Sequence, residues 1–282
     1  MVAAAVGTIT ETTIDVDGVE VFLRRTEGEG APVVFSHGNP THSADWIPFL
    51  ERLELPAVAL DYPGWGRSAR PSARKFDYSM YGLSRFFGRA LDALGIERYS
   101  LVVHDWGGLA LLEAFRRPER VERLVIMNTV PFLPGYRWHW IARYFWRVPV
   151  AGELFNVLAT KSAFRLISRQ SNHTPGPMPP EFIDMVWSQW RRGFNRPVLE
   201  LYRSGDPEAF AAEGVKLSVL TCPALVAWAG RDPYIPARFG RMFAERLPDA
   251  RLIELDDAGH WPWIDRPDLV DRVTEFLQED GG

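Results

Sequence analysis

Asp105 stands in Val103-His104-Asp105-Trp106-Gly107-Gly108, between a buried-strand run and a helical stretch. A strand that turns sharply into a helix holds its central residue in a strained conformation at the helix N-terminus, and small residues must follow so that strand and helix can approach. A carboxylate in that place needs no deprotonation; it can displace a leaving group from an sp³ carbon and become an ester. The plain alternative is an aspartate that only caps the helix. Three further segments argue against it. Ser36-His37-Gly38-Asn39-Pro40 ends an earlier buried run, where backbone N–H groups, those of Asn39 and Trp106, would hold an oxyanion. Asp232 follows another run in Gly230-Arg231-Asp232-Pro233, although Asp-Pro is also a frequent turn pair. His260 follows the last run in Ala258-Gly259-His260-Trp261. The chain order is nucleophile, acid, histidine. Asp232 would then orient His260, whose neutral ring would activate water against the ester. His42, His139 and His173 read as structural or surface residues.

These residues need a sheet whose strand ends converge. Thr13–Val16 and Val19–Arg24 flank Asp17-Gly18, a pair that favours a type I′ hairpin. Short apolar runs at Pro32–Ser36, Ala57–Leu60, Ser100–Val103 and Leu124–Met127 predict buried parallel strands. Helices are predicted at His42–Leu53, Tyr78–Leu94 and Gly107–Arg117. From Val130 to Val215 the rhythm breaks into helical patterns rich in Trp, Arg and Pro; it resumes with a strand at Ala224–Ala229, a helix at Ala237–Leu247, a strand at Arg251–Leu255 and a helix at Pro267–Gln278. The expected organisation is one α/β core over residues 1–129 and 216–282, interrupted by a helical cap over 130–215.

The chain resembles the α/β-hydrolase superfamily, in the branch that contains epoxide hydrolases and haloalkane dehalogenases. The shared segments are His37-Gly38-Asn39-Pro40, Asp61-Tyr62-Pro63-Gly64-Trp65-Gly66-Arg67-Ser68, His104-Asp105-Trp106-Gly107-Gly108, Gly230-Arg231-Asp232-Pro233 and Ala258-Gly259-His260-Trp261. The resemblance implies a mostly parallel eight-stranded sheet with an inserted cap, a catalytic Asp105–His260–Asp232 set, and no cofactor or metal. Epoxide hydrolases of this kind protonate the epoxide oxygen with two cap tyrosines. Tyr202, in Leu199-Glu200-Leu201-Tyr202-Arg203, and Tyr144 fit those places, with Tyr136 the alternative to Tyr144. Against this, Asn39 and Trp106 are the residue types that bind halide in dehalogenases, and Asn39 and Val103 stand where epoxide hydrolases usually carry Phe and Gly. His37, Asn39 and Trp106 are the candidates for oxyanion and leaving-group binding. The expected reaction is opening of an apolar or aryl epoxide, with haloalkane dehalogenation the alternative. A non-catalytic small-molecule receptor on the same fold would not need the complete Asp–His–Asp set.

Bulk properties agree with an enzyme acting on a small molecule. The 282 residues are 46% hydrophobic, enough for a sizeable core, and the net charge is −4 with no Lys/Arg run of the kind that binds nucleic acid or anionic lipid. Neither nucleic acid nor membrane is an expected partner; the protein is expected to be a cytoplasmic monomer or homodimer. A short Ala/Val run near the N-terminus has no basic residue before it, and no apolar stretch approaches the roughly 20 residues needed to span a bilayer. The single cysteine, Cys222, reads as a packing residue. Trp138, Trp140, Trp146, Trp187 and Trp190 suggest an aromatic-lined pocket, with most of them in core contacts.

Overall fold

A computed structural model describes residues 7–190 and 195–279; the opening Ala/Val run lies outside them. The strands are β1 (Thr10–Val16), β2 (Val19–Thr26), β3 (Val33–Ser36), β4 (Ala57–Leu60), β5 (Tyr99–Asp105), β6 (Val121–Thr129), β7 (Ala224–Ala229) and β8 (Ala250–Leu255). They form one eight-stranded sheet in the order β1-β2-β4-β3-β5-β6-β7-β8. β2 pairs antiparallel with β1 and β4, and every other pairing is parallel. Asp17 and Gly18 both take positive φ, at 54° and 78°, as the two-residue hairpin turn requires.

β3, β4, β5 and β7 are buried along their whole length, which is why they read as continuous apolar runs. Side chains still alternate between the two faces. Leu101 and Val103 of β5 join the layer that holds Phe86, Phe87 and Leu91, while Val102 joins Phe35, Trp46 and Trp263 on the other side. The helix Met80–Ala93 covers the first face and begins at Ser79, whose hydroxyl accepts the Gly82 N–H at 3.0 Å.

Two predicted helices are shorter than their patterns. His42–Leu53 contains a 3₁₀ turn at Ser43–Trp46 and one α-turn at Ile47–Leu50. Gly107–Arg117 divides into a 3₁₀ turn, Trp106–Leu109, and a helix, Ala110–Arg116. The division follows from close packing: a Cβ on Gly107 would stand 2.0 Å from the Ser36 carbonyl oxygen. Between β6 and β7 the described residues carry only helices and turns, including a π-helical turn at Ala142–Trp146 and helices at Ala151–Leu158, Lys161–Ile167, Pro180–Trp190, Asn195–Ser204 and Pro207–Glu213. None of the described helices is long and apolar enough to cross a membrane.

Candidate active site

The parallel strands β3, β5, β6 and β7 end on one edge, and the loops that leave them bring the predicted residues together. Asp105 closes β5 with φ 49° and ψ −127°, a conformation an L-residue adopts only under constraint. The constraint is visible: the Asp105 carbonyl accepts from the Thr129 hydroxyl at 2.6 Å and from the Val130 N–H at 3.0 Å. Gly38 makes room on the other side, since a Cβ there would lie 2.4 Å from that of Asp105. The Asn39 N–H donates to Asp105 Oδ1 at 2.6 Å, while Oδ2 faces His260 Nε2 at 3.4 Å.

His260 Nδ1 lies 2.7 Å from Asp232 Oδ2. That carboxylate is itself held: Asn128 Nδ2 donates to Oδ2 at 2.7 Å, and the Tyr234 and Ile235 N–H groups donate to Oδ1 at 2.7 and 3.0 Å. The histidine backbone is pinned at both ends. Its carbonyl contacts His104 Nε2 at 2.7 Å, and its N–H donates to the Ser171 carbonyl at 2.7 Å. Burial disfavours a charged His260 ring, but the Asp232 charge and the hydrogen bonds to Asp105 and Asp232 outweigh it and raise the pKa to about 10. Burial likewise opposes the Asp105 anion, yet the hydrogen bond and charge of His260 hold its pKa below the usual range. The two carboxylates thus favour the charged form of the ring between them. His104 is pushed down to about 3 by burial and serves as a neutral donor.

A cavity above Asp105 is walled by both parts of the chain. Asn39, Asp105, His260 and Trp261 come from the sheet side, and Ile141, Trp146, Phe155, Phe164, Ile167, Phe182, Trp190 and Tyr202 from the helices between β6 and β7. Apart from Asn39, Asp105, His260 and a few other polar side chains its surface is mostly aromatic and aliphatic, suited to an uncharged ligand. Tyr202 is buried; burial, and next the Asp105 anion, push its phenol well above the ordinary value. Asn39 Nδ2 donates to the Tyr202 hydroxyl at 3.4 Å. The Trp106 indole N–H is close enough to act on that hydroxyl, but makes no well-formed hydrogen bond.

Three expectations are corrected. Tyr144 is 59% exposed on the outer side of the π-helical turn, with Arg143 over its ring at 5.4 Å, and does not reach the cavity. A turn that hydrogen-bonds i to i+5 presents different residues inward from those of a 3.6-residue helix, and here Ile141 and Trp146 take the inner places. Tyr136 is buried against Trp138 and Phe239, and is not among the cavity residues. His37 does not face the leaving group: Nδ1 lies 2.8 Å from the Gly38 carbonyl and Nε2 accepts the Tyr62 N–H at 3.1 Å, which ties the β3 and β4 loops together.

His139, expected to be structural, lines the cavity. Its ring centre lies 6.1 Å from that of Tyr202 and 4.9 Å from that of Tyr234. Nδ1 accepts the Ala142 N–H at 3.4 Å, which leaves the ring proton on Nε2. Asn128 and Asp45 also escaped the sequence reading. Asn128, at φ 34° just past the apolar run of β6, could have been found as an Asn at a strand end, where left-handed backbone suits it. Asp45 is buried, with burial raising its pKa to about 7, and accepts the Trp261 indole N–H at 3.2 Å beneath the His260 ring.

Comparison with known proteins gives the same frame. The alpha/beta hydrolase fold family matches residues 31–267. Haloalkane dehalogenase 2 of Mycobacterium tuberculosis is 30% identical over 257 residues, covering 86% of each chain. A cis-3-alkyl-4-alkyloxetan-2-one decarboxylase of Shewanella oneidensis is 28% identical over 272 residues, covering 90% of this chain and 84% of that one. The structure of the epoxide hydrolase CorEH superposes with a TM-score of 0.79 at 20% identity over 96% of this chain and 98% of that one, a likeness of fold alone. The chain is thus a hydrolase that belongs to the α/β-hydrolase fold family, in the branch of epoxide hydrolases and haloalkane dehalogenases.

Proposed function

We propose that the protein opens an apolar epoxide to a vicinal diol through an ester on Asp105, with residues 130–215 acting as the cap over the site. The observation that carries the reading is the Tyr202 hydroxyl. It accepts from Asn39 Nδ2, so its own proton is left for a second acceptor, and it stands in the cavity that Asp105 also lines. An oxygen leaving group in a dry, aromatic site needs such a donor, whereas a halide does not.

Asp105 Oδ2 attacks the epoxide carbon, while Oδ1 stays on the Asn39 N–H and later becomes the oxyanion. The C–O bond breaks and the leaving oxygen takes a proton from Tyr202, assisted by the Nε2–H of His139 in the part expected of Tyr144. Esterification removes one of the two anions that hold the His260 proton; that proton leaves and makes good the one Tyr202 has given. Neutral His260 next takes a proton from water, and the hydroxide adds to the Asp105 carboxyl carbon. Collapse of the adduct expels the second alkoxide, which receives the proton of the added hydroxyl, and Asp105 carboxylate beside charged His260 is restored.

Haloalkane dehalogenation has its own support in the Asn39 amide and the unpartnered Trp106 indole N–H, together with the 30% identical relative. The pure protein, given styrene oxide and a 1-bromoalkane separately, decides between them. Diol without bromide is the expected result. Bromide without diol would replace the epoxide assignment with the dehalogenase one.

A further inference from the structure

The outer surface of the segment between β6 and β7 combines two features that a buried-core argument does not explain. Of the eleven large hydrophobic side chains exposed among the described residues, eight fall between Trp140 and Leu166 in its first half: Trp140, Tyr144, Val148, Val150, Leu154, Val157, Leu158 and Leu166. Leu154, Val157 and Leu158 are spaced i, i+3, i+4 on the helix Ala151–Leu158 and so share its outer face. A contiguous apolar face of this kind marks a docking surface.

The charge on the same segment names the partner. Between Arg137 and Arg169 there are six Lys or Arg and one Glu, in a chain whose net charge is −4. Glu153 is satisfied by Arg203 at 2.8 Å, and Lys161 pairs with Asp184. Arg137, Arg143, Arg165 and Arg169 are exposed and form no salt bridge among the described residues. Along the sequence these arginines are scattered and make no basic run; in the fold Arg165 and Arg169 share a groove with the exposed Leu166, and Arg143 lies over the ring of the exposed Tyr144. A second copy of the chain does not suit the surface, because a two-fold contact would press like charges together. Exposed Trp and Tyr, a Leu/Val face and a rim of arginine suit the interface of a bilayer with an anionic surface.

The face is also continuous with the active site. The Trp140 ring lies 6.1 Å from that of Phe145, which lies 4.7 Å from that of Phe155, a cavity residue. We infer that the outer face of the segment Arg137–Arg169 seats the protein on an anionic lipid bilayer, so that an apolar substrate dissolved in the lipid reaches the cavity along this aromatic path.

Co-sedimentation of the full chain with vesicles of phosphatidylcholine, with or without phosphatidylserine, tests this without reference to catalysis, so it stands apart from the epoxide reading. Wild-type protein is expected to pellet with phosphatidylserine vesicles and to be released by salt. Replacing Arg143, Arg165 and Arg169 by Ser should weaken binding on the order of fivefold for each charge removed. The pair Leu154→Ser and Leu158→Ser should weaken it as well, with thermal unfolding showing that each variant is folded. Any of four results would overturn the inference: equal binding to both vesicle types, no binding to either, variants that bind as wild type does, or capture of polyglutamate without capture of vesicles. So would an equilibrium dimer in sedimentation that the leucine pair converts to monomer.

Discussion

The two reacting oxygens in the proposed reaction have separate custodians. Asp105 is fixed by the Asn39 N–H and by its own strained backbone, while the leaving oxygen must be met by a group that still has a proton to give. Tyr202→Phe removes that proton and keeps the ring; kcat for epoxide opening should fall on the order of 10- to 1000-fold with stability nearly unchanged. His139→Phe should lower kcat by a smaller factor, and His139→Gln, which keeps an N–H near the same place, should recover most of it. Equal activity of His139→Phe and wild type in a diol assay would remove His139 from the mechanism and leave the epoxide reading standing. Asp105, Asp232 and His260, which the fold brings together, could be picked out of the sequence because each ends or follows a recognisable strand. The places of Tyr144 and His139 could not. Tyr144 lies in the π-helical turn and His139 just before the helical residues begin, and side-chain identity alone does not say which one turns inward.

At the scale of elements, the His260 loop owes its position to contacts from parts of the chain far away in sequence. Asp265 accepts from the Gly259 N–H at 2.8 Å and from the His173 and Thr174 N–H groups at 2.8 and 2.9 Å, so it ties the loop after β8 to the helical segment. Ser171 adds its carbonyl to the His260 N–H and its hydroxyl to that of Tyr234 at 2.8 Å. Asp265→Ala would leave the part-buried Gly259 N–H without its acceptor, a loss of about 1–3 kcal/mol, while the exposed His173 and Thr174 N–H groups can turn to water. It should also loosen the imidazole against Asp105. Urea unfolding and kcat measured together check this; a variant that loses stability yet keeps full kcat would mean that the tie serves the fold alone. β3, β4, β5 and β7 could be read from the sequence because strands buried on both faces are apolar throughout. The ties made by Asp265 and Ser171 left no pattern to read. They join residues some ninety positions apart through backbone groups, which every sequence possesses.

Over the whole molecule, the buried titratable groups set the pH at which the fold is most stable. His37, His104 and His139 all have pKa values lowered chiefly by burial, to about 3 for His104 and about 4 for His139. Below their unfolded value of 6.5 the unfolded chain binds more protons than the folded one, so these three make stability fall as pH falls. Asp45 opposes them: its pKa is raised to about 7, so the folded chain holds an extra proton from its ordinary value of 3.8 up to that point. Three groups outweigh one, and stability should still rise with pH toward 6.5. Above 6.5 the sign reverses. His260, raised to about 10, keeps a proton that the unfolded chain loses, and its contribution, complete below 6.5, drains away as pH climbs toward that value. The free energy of unfolding, measured in urea from about pH 4 to 9, should therefore pass through a maximum near 6.5. Asp105→Asn takes away one of the charges that hold the His260 proton, so its alkaline slope should be shallower, while the acid slope set by His37, His104 and His139 persists. A wild-type curve that keeps rising through pH 9 would mean that His260 is neutral in the resting protein. The first half of the proposed proton cycle would then need another source for the proton that replaces the one given by Tyr202.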